Sequence, residues 1–142
     1  MSEERYGEMA AVTTLLSSEL DSLANDANVV STEISTVENG RHKNIMFLLS
    51  LASVDLTAQT NPCVEIYLLG RYDGTNYVDG STTVTPECVP NAVIPLRTVS
   101  GAQIVGTGSL RTHPITQKVL IRNKTGVAFA ATGTTLGYAT HA

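Results

Sequence analysis

From Val30 onward the apolar residues recur at every second position in short runs, and turn-forming residues break those runs roughly every 8 to 15 residues. Side chains of a strand point alternately to its two faces, so a period of two predicts strands with one face for a core. A chain made almost wholly of such runs buries its apolar faces only by packing sheet on sheet.

The runs follow one another without a helical interval. Val30, Thr32, Ile34 and Thr36 alternate with Ser31, Glu33 and Ser35, and Asn39-Gly40 follows as a tight hairpin signal. His42 to Val54 is a long strand candidate with both faces largely apolar, the pattern of the middle of a sandwich sheet. Val64, Ile66 and Leu68 alternate with Cys63, Glu65 and Tyr67, and Asp73-Gly74-Thr75-Asn76 reads as a hairpin connection, with a further turn at Gly80.

Pro86, Pro90 and Pro95 fence the next stretch, which suits an edge or a loop. Ala92 to Val99, Gln103 to Leu110, Lys118 to Arg122, Val127 to Ala131 and Thr134 to Tyr138 supply the remaining strands, with His113-Pro114 as an interruption. The expectation is an all-β fold, an antiparallel β-sandwich or jelly roll, with a core of Ile45, Phe47, Leu49, Leu51, Val64, Ile66, Leu68, Val119 and Ile121.

The start of the chain reads differently. Met9, Val12, Leu15, Leu16, Leu20 and Leu23 fall at spacings of three and four, which predicts a short amphipathic helix or an extended arm. An isolated helix of about 15 residues is marginal in water, so this stripe needs cover. Residues 1–28 are therefore assigned as an N-terminal assembly arm and 29–142 as the sandwich, with Val12, Leu15, Leu16, Leu20 and Leu23 as the partner-binding residues.

Charge is split in the same place. Residues 1–38 hold eight acidic groups and one basic group, Arg5, for a net of -7, while the rest holds five acids and eight bases, for a net of +3. Such an arm suits docking on a basic patch. The longest apolar run, Ile45 to Val54, is broken by Ser50 and Ser53 and falls short of the ~20 residues a membrane span needs. Neither membrane insertion nor a secretory leader is expected, and Cys63 and Cys88 default to two buried thiols.

Catalytic and metal patterns are missing from the sequence. His42, His113 and His141 sit after a turn, before a proline and next to the end, with no nucleophile-base pattern around them. Cys63 and Cys88 lack nearby zinc-ligand spacing, and Asp73 to Gly80 departs from a calcium loop by placing Tyr77 fifth and Val84 twelfth. Gly101, Gly106 and Gly108 read as a bend between strands because no helix follows them. Arg111, Lys118, Arg122 and Lys124 read as a solvated sheet face without the aromatic platform that nucleic acid would use, and Asn123-Lys124-Thr125 as a chance glycosylation match. No catalytic, cofactor or metal residue is assigned.

Several short segments, in order, resemble those of small tailed-phage virion proteins. They are Leu20 to Asn25 (L-D-S-L-A-N), Phe47 to Leu51, Asp73 to Tyr77, Leu120 to Gly126 and Ala130 to Leu136. The resemblance spans residues 20 to 137 and is to capsid decoration, or cement, proteins. It implies a non-enzymatic structural role in the virion of a bacteriophage, at the outer capsid surface after assembly in the host cytoplasm. It also implies the major capsid protein as partner and a homo-oligomer, a homotrimer by preference. The alternative is a tail or fibre module that binds a receptor or carbohydrate, for which only Tyr67, Tyr72 and Tyr77 offer aromatic surface.

Overall fold

The structure, a computed structural model, describes residues 11–35, 44–112 and 116–141. Its strands are β1 (Thr13–Leu16), β2 (Asn28–Val30), β3 (Ile34–Ser35), β4 (Asn44–Asp55), β5 (Cys63–Gly70), β6 (Ala92–Pro95), β7 (Ser100–Gly106), β8 (Leu110–Arg111), β9 (Thr116–Lys124) and β10 (Thr135–His141). They form two antiparallel sheets. The first runs β1-β10-β4-β7, with β8 also on β4; the second runs β2-β9-β5-β6, with β3 also on β9. The chain is a β-sandwich.

The long strands carry the fold because they bring the most apolar side chains to the inner faces. On β4, Ile45, Phe47, Leu49 and Leu51 point inward and are at most 1% exposed. On β5 and β9 the inward rows are Val64, Ile66 and Leu68, and Val119 and Ile121, with Leu68 only half-buried. These meet Leu136 of β10 and Ile94 of β6 in one cluster. Burying side chains of this kind is the main favourable term of such a domain, roughly 1.5–3 kcal/mol each.

Of the two conformations expected for the N-terminal segment, Thr13 to Leu16 takes the extended one and not the amphipathic helix. Thr13 to Leu16 is a strand paired with β10 (Thr13 with Tyr138, Leu16 with Leu136), and Ser18–Leu20 is a single 3-10 turn. Two β-branched threonines and the following serines favour extended chain and turn over helix. Leu16, Leu20 and Leu23 enter the sandwich core from three different backbone settings, so residues from Thr13 onward are woven into the sandwich. Phe129 N donates to the Leu23 carbonyl (2.9 Å) and Ser22 N to the Ala130 carbonyl (3.0 Å), which ties in the stretch 127–131 that had been expected to be a strand. That stretch has no strand pairing.

β5 and β6 pair antiparallel as a hairpin, but the connection is far longer than a tight turn at Asp73 to Asn76. Residues 71–91 form a long loop laid over the outer face of the second sheet, where Tyr67, Leu69 and Leu120 are buried and Val30 packs against them. Val78 N donates to the Gly70 carbonyl (3.0 Å), and Asn28 Nδ2 donates to Thr85 Oγ1 (3.0 Å). A Cβ on Gly80 would lie 3.0 Å from both methyls of Leu69, so the loop approaches the sheet closely where there is no side chain. The Asn39-Gly40 turn, His42 and the His113-Pro114 interruption lie outside the described residues.

Candidate interaction surface

The outer face of the first sheet has no such cover among the described residues. The β4–β10 register puts Met46 and Leu48 of β4 beside Ala139 and Gly137 of β10, and the β4–β7 register puts Gly106 and Ile104 on the same face. Val12, just before β1, lies over Gly137, where an added Cβ would meet its Cγ1 at 2.7 Å. Between Val12 and Leu48 the small residues Gly106 and Ala139 leave a shallow apolar groove of about 200 Å³, completed by Met46, Phe47 and Tyr138.

Several apolar side chains of this face stand in water. Val12, Leu48 and Ile104 are 51%, 38% and 74% exposed, where water gains nothing from them. Scattered exposed apolar residues are ordinary, but a contiguous set on one sheet face marks an interaction site. Of the five residues assigned to partner binding from the sequence, only Val12 lies on this surface. Leu15 is half-buried, and Leu16, Leu20 and Leu23 fill the protein's own core. Met46 and Leu48 are missed in the sequence because apolar residues on both faces of a strand read as a buried central strand, and Ile104 of β7 because a single apolar residue on a strand does not mark an outer face.

The polar candidates are internally engaged. Asp73 Oδ1 accepts the Thr75 and Asn76 backbone amides (2.7 and 2.6 Å), and Oδ2 accepts Asn76 Nδ2 (3.0 Å). These bonds, led by the Asn76 amide, hold its carboxyl below the ordinary value and leave a turn rather than an ion cradle. No group of three or more His, Cys, Asp or Glu is placed to hold a metal among the described residues. Ser109 Oγ lies 2.7 Å from His141 Nε2, an exposed contact at the end of β10 that joins that strand to the segment before β8.

The expected basic face is divided: Arg111 lies on β8 of the first sheet, while Lys118, Arg122 and Lys124 of β9 point to the outer face of the second sheet, where they are partly covered and paired and not freely solvated. Lys124 Nζ meets Asp26 Oδ1 at 2.5 Å, Arg122 lies 3.8 Å from the same oxygen, and Lys118 sits over the Tyr77 ring. Tyr77 in turn donates its hydroxyl to Glu33. Tyr67 is buried, Tyr72 is 67% exposed and Tyr77 lies between Lys118 and Arg71, so the three tyrosines present no common flat face.

Cys63 is half-buried and Cys88 exposed, both unbridged, which corrects the expectation of two buried thiols; burial pushes the Cys63 thiol up. Asn123 is fully buried with its amide nitrogen bonded to the Leu23 and Val127 carbonyls, so the glycosylation match is closed in the folded chain.

No family description, curated protein or solved structure matches this chain. The surface chemistry stands on its own. An apolar shelf with a shallow groove can exclude water against a complementary surface.

Proposed function

We propose that the protein is a non-enzymatic structural subunit, a capsid decoration protein that binds and stabilises the major capsid protein shell of a tailed bacteriophage. The observation that carries the reading is the asymmetry of the sandwich. The chain's own loop 71–91 lies over Tyr67, Leu69 and Leu120 on the second sheet's outer face and leaves Val93 at its β6 edge exposed, while the first sheet's outer face keeps Val12, Leu48 and Ile104 in water beside an apolar groove. An apolar sheet face that the described residues leave uncovered marks a surface for a partner. The resemblance of segments in the same order to those of decoration proteins supports a virion shell as that partner.

Purified chain mixed with capsids of its phage prepared without it should sediment with them and raise their resistance to heat. Leu48→Asp, which puts a charge in the groove without touching the core, should abolish the association. A parent chain that stays in the supernatant overturns the reading, as does a Leu48→Asp variant that binds like the parent.

A further inference from the structure

Among the described residues, the strand edges without a neighbour differ between the two sheets. Strand edges offer unpaired backbone groups, and proteins blunt them with short strands, prolines, charges or bulges. β1 has four residues and a register shift between Thr14 and Leu16. β2 and β3 are pieces of three and two residues, and β6 has four and ends in Pro95. β7 runs for seven residues, Ser100–Gly106, with no proline and no charge. The shift in its pairing with β4 puts the extra residue in β4, since Leu51 opposes Gln103 and Val54 opposes Gly101, so β7 carries no inserted residue and departs from regular strand backbone at Gly101, where φ is 138°.

Backbone alternation shows which groups face outward. Thr107 N donates to the Phe47 carbonyl at 2.9 Å, which makes that a hydrogen-bonded pair. In an antiparallel ladder such pairs alternate. Val105 and Gln103 therefore turn their N–H and C=O toward β4, and Ile104 and Gly106 turn theirs away from it. Ile104 also carries one of the most exposed apolar side chains of the described chain, at 74%.

We propose that β7 pairs antiparallel with β7 of a second copy about a two-fold axis through Gln103, joining the two first sheets into one. The occupant follows from self-complementarity, the condition a two-fold interface must meet. In the register that uses the whole strand, Ile104 opposes Ala102 of the second copy, Val105 opposes Gly101 and Gly106 opposes Ser100. Each larger side chain meets a smaller one, and no charge meets a like charge. The inward side of the axis is already ordered, because Gln103 is held by the Arg97 backbone through both ends of its amide (2.9 and 3.0 Å). The pairing also doubles the apolar shelf, and it holds whatever larger assembly the protein joins.

Light scattering of the full chain should give the mass of two chains. Ile104→Pro removes an amide that β4 does not use, and Ile104→Lys puts a charge on the edge; both should halve the mass while the variants still melt cooperatively. A parent chain with the mass of one or three copies overturns the proposal, as do folded variants that remain paired. Should the variants fail to fold, hydrogen exchange of the parent decides. The Ile104 amide should be protected like that of Val105, and rapid exchange at Ile104 overturns the pairing. Capsid association is scored separately through Leu48, so this proposal and the decoration role fail by different results.

Discussion

Asn123 donates its side-chain amide to the Leu23 carbonyl at 2.9 Å, across a hundred residues of sequence. The same amide donates to Val127, and Oδ1 accepts the Thr125 amide and hydroxyl (2.9 and 2.7 Å). One buried side chain thus fastens the N-terminal segment, the end of β9 and the turn after it. Asn123→Leu fills a similar volume and strands those groups. With each unmet buried group costing roughly 1–3 kcal/mol, the loss in urea unfolding should be on the order of 3 kcal/mol.

Leu20 is fully buried although it belongs to a 3-10 turn near the start of the chain. Leu20→Ala should therefore cost about as much as a substitution in β4 or β5, on the order of 2–5 kcal/mol, and Phe47→Ala about 3–5 kcal/mol. Deleting residues 1–24 removes Leu16, Leu20 and Leu23 together and should unfold the sandwich. A folded truncated chain by circular dichroism would show that the segment is dispensable to the core.

These residues also show where sequence reading reached its limit. Ile45, Phe47, Leu49 and Leu51 lie in a long apolar run that marks a central strand, and the structure buries all of them. Leu16, Leu20 and Leu23 imitate a helical stripe by spacing alone, and tertiary contacts decide their conformation. The shelf was half visible. Met46 and Leu48 were apolar on the page, but which outer face a loop covers depends on where residues 71–91 fall, and local pattern does not encode that. Tyr67, Leu69 and Leu120 were the available signal, being large apolar residues at outward positions of β5 and β9.

Asp73 spends its oxygens on Thr75 and Asn76, so calcium would have to displace three hydrogen bonds to bind. A cation bound only by the folded state raises stability by mass action. Millimolar calcium or a chelator should leave the melting temperature of the chain unchanged, and a calcium-dependent rise of several degrees would defeat the turn reading.

Asp26 joins the N-terminal segment to the basic row of β9, and its pH dependence has a definite sign. The Lys124 hydrogen bond, with the nearby charges of Lys124 and Arg122, holds its carboxyl below the ordinary value. A carboxyl lowered in the folded state stabilises above its unfolded value, near pH ~3.9, and that stability is lost as pH falls through the lower folded value. Asp26→Asn isolates the charge, because the residue sits at φ 66° and asparagine tolerates that left-handed backbone as well as aspartate does. The variant should melt below the parent at neutral pH, and the gap should close as both are acidified past the ordinary carboxylate range. The pair is exposed to water, so high salt at neutral pH should narrow the same gap. A difference that survives both acid and salt would assign the loss to the Asp26 backbone turn instead of the ion pair.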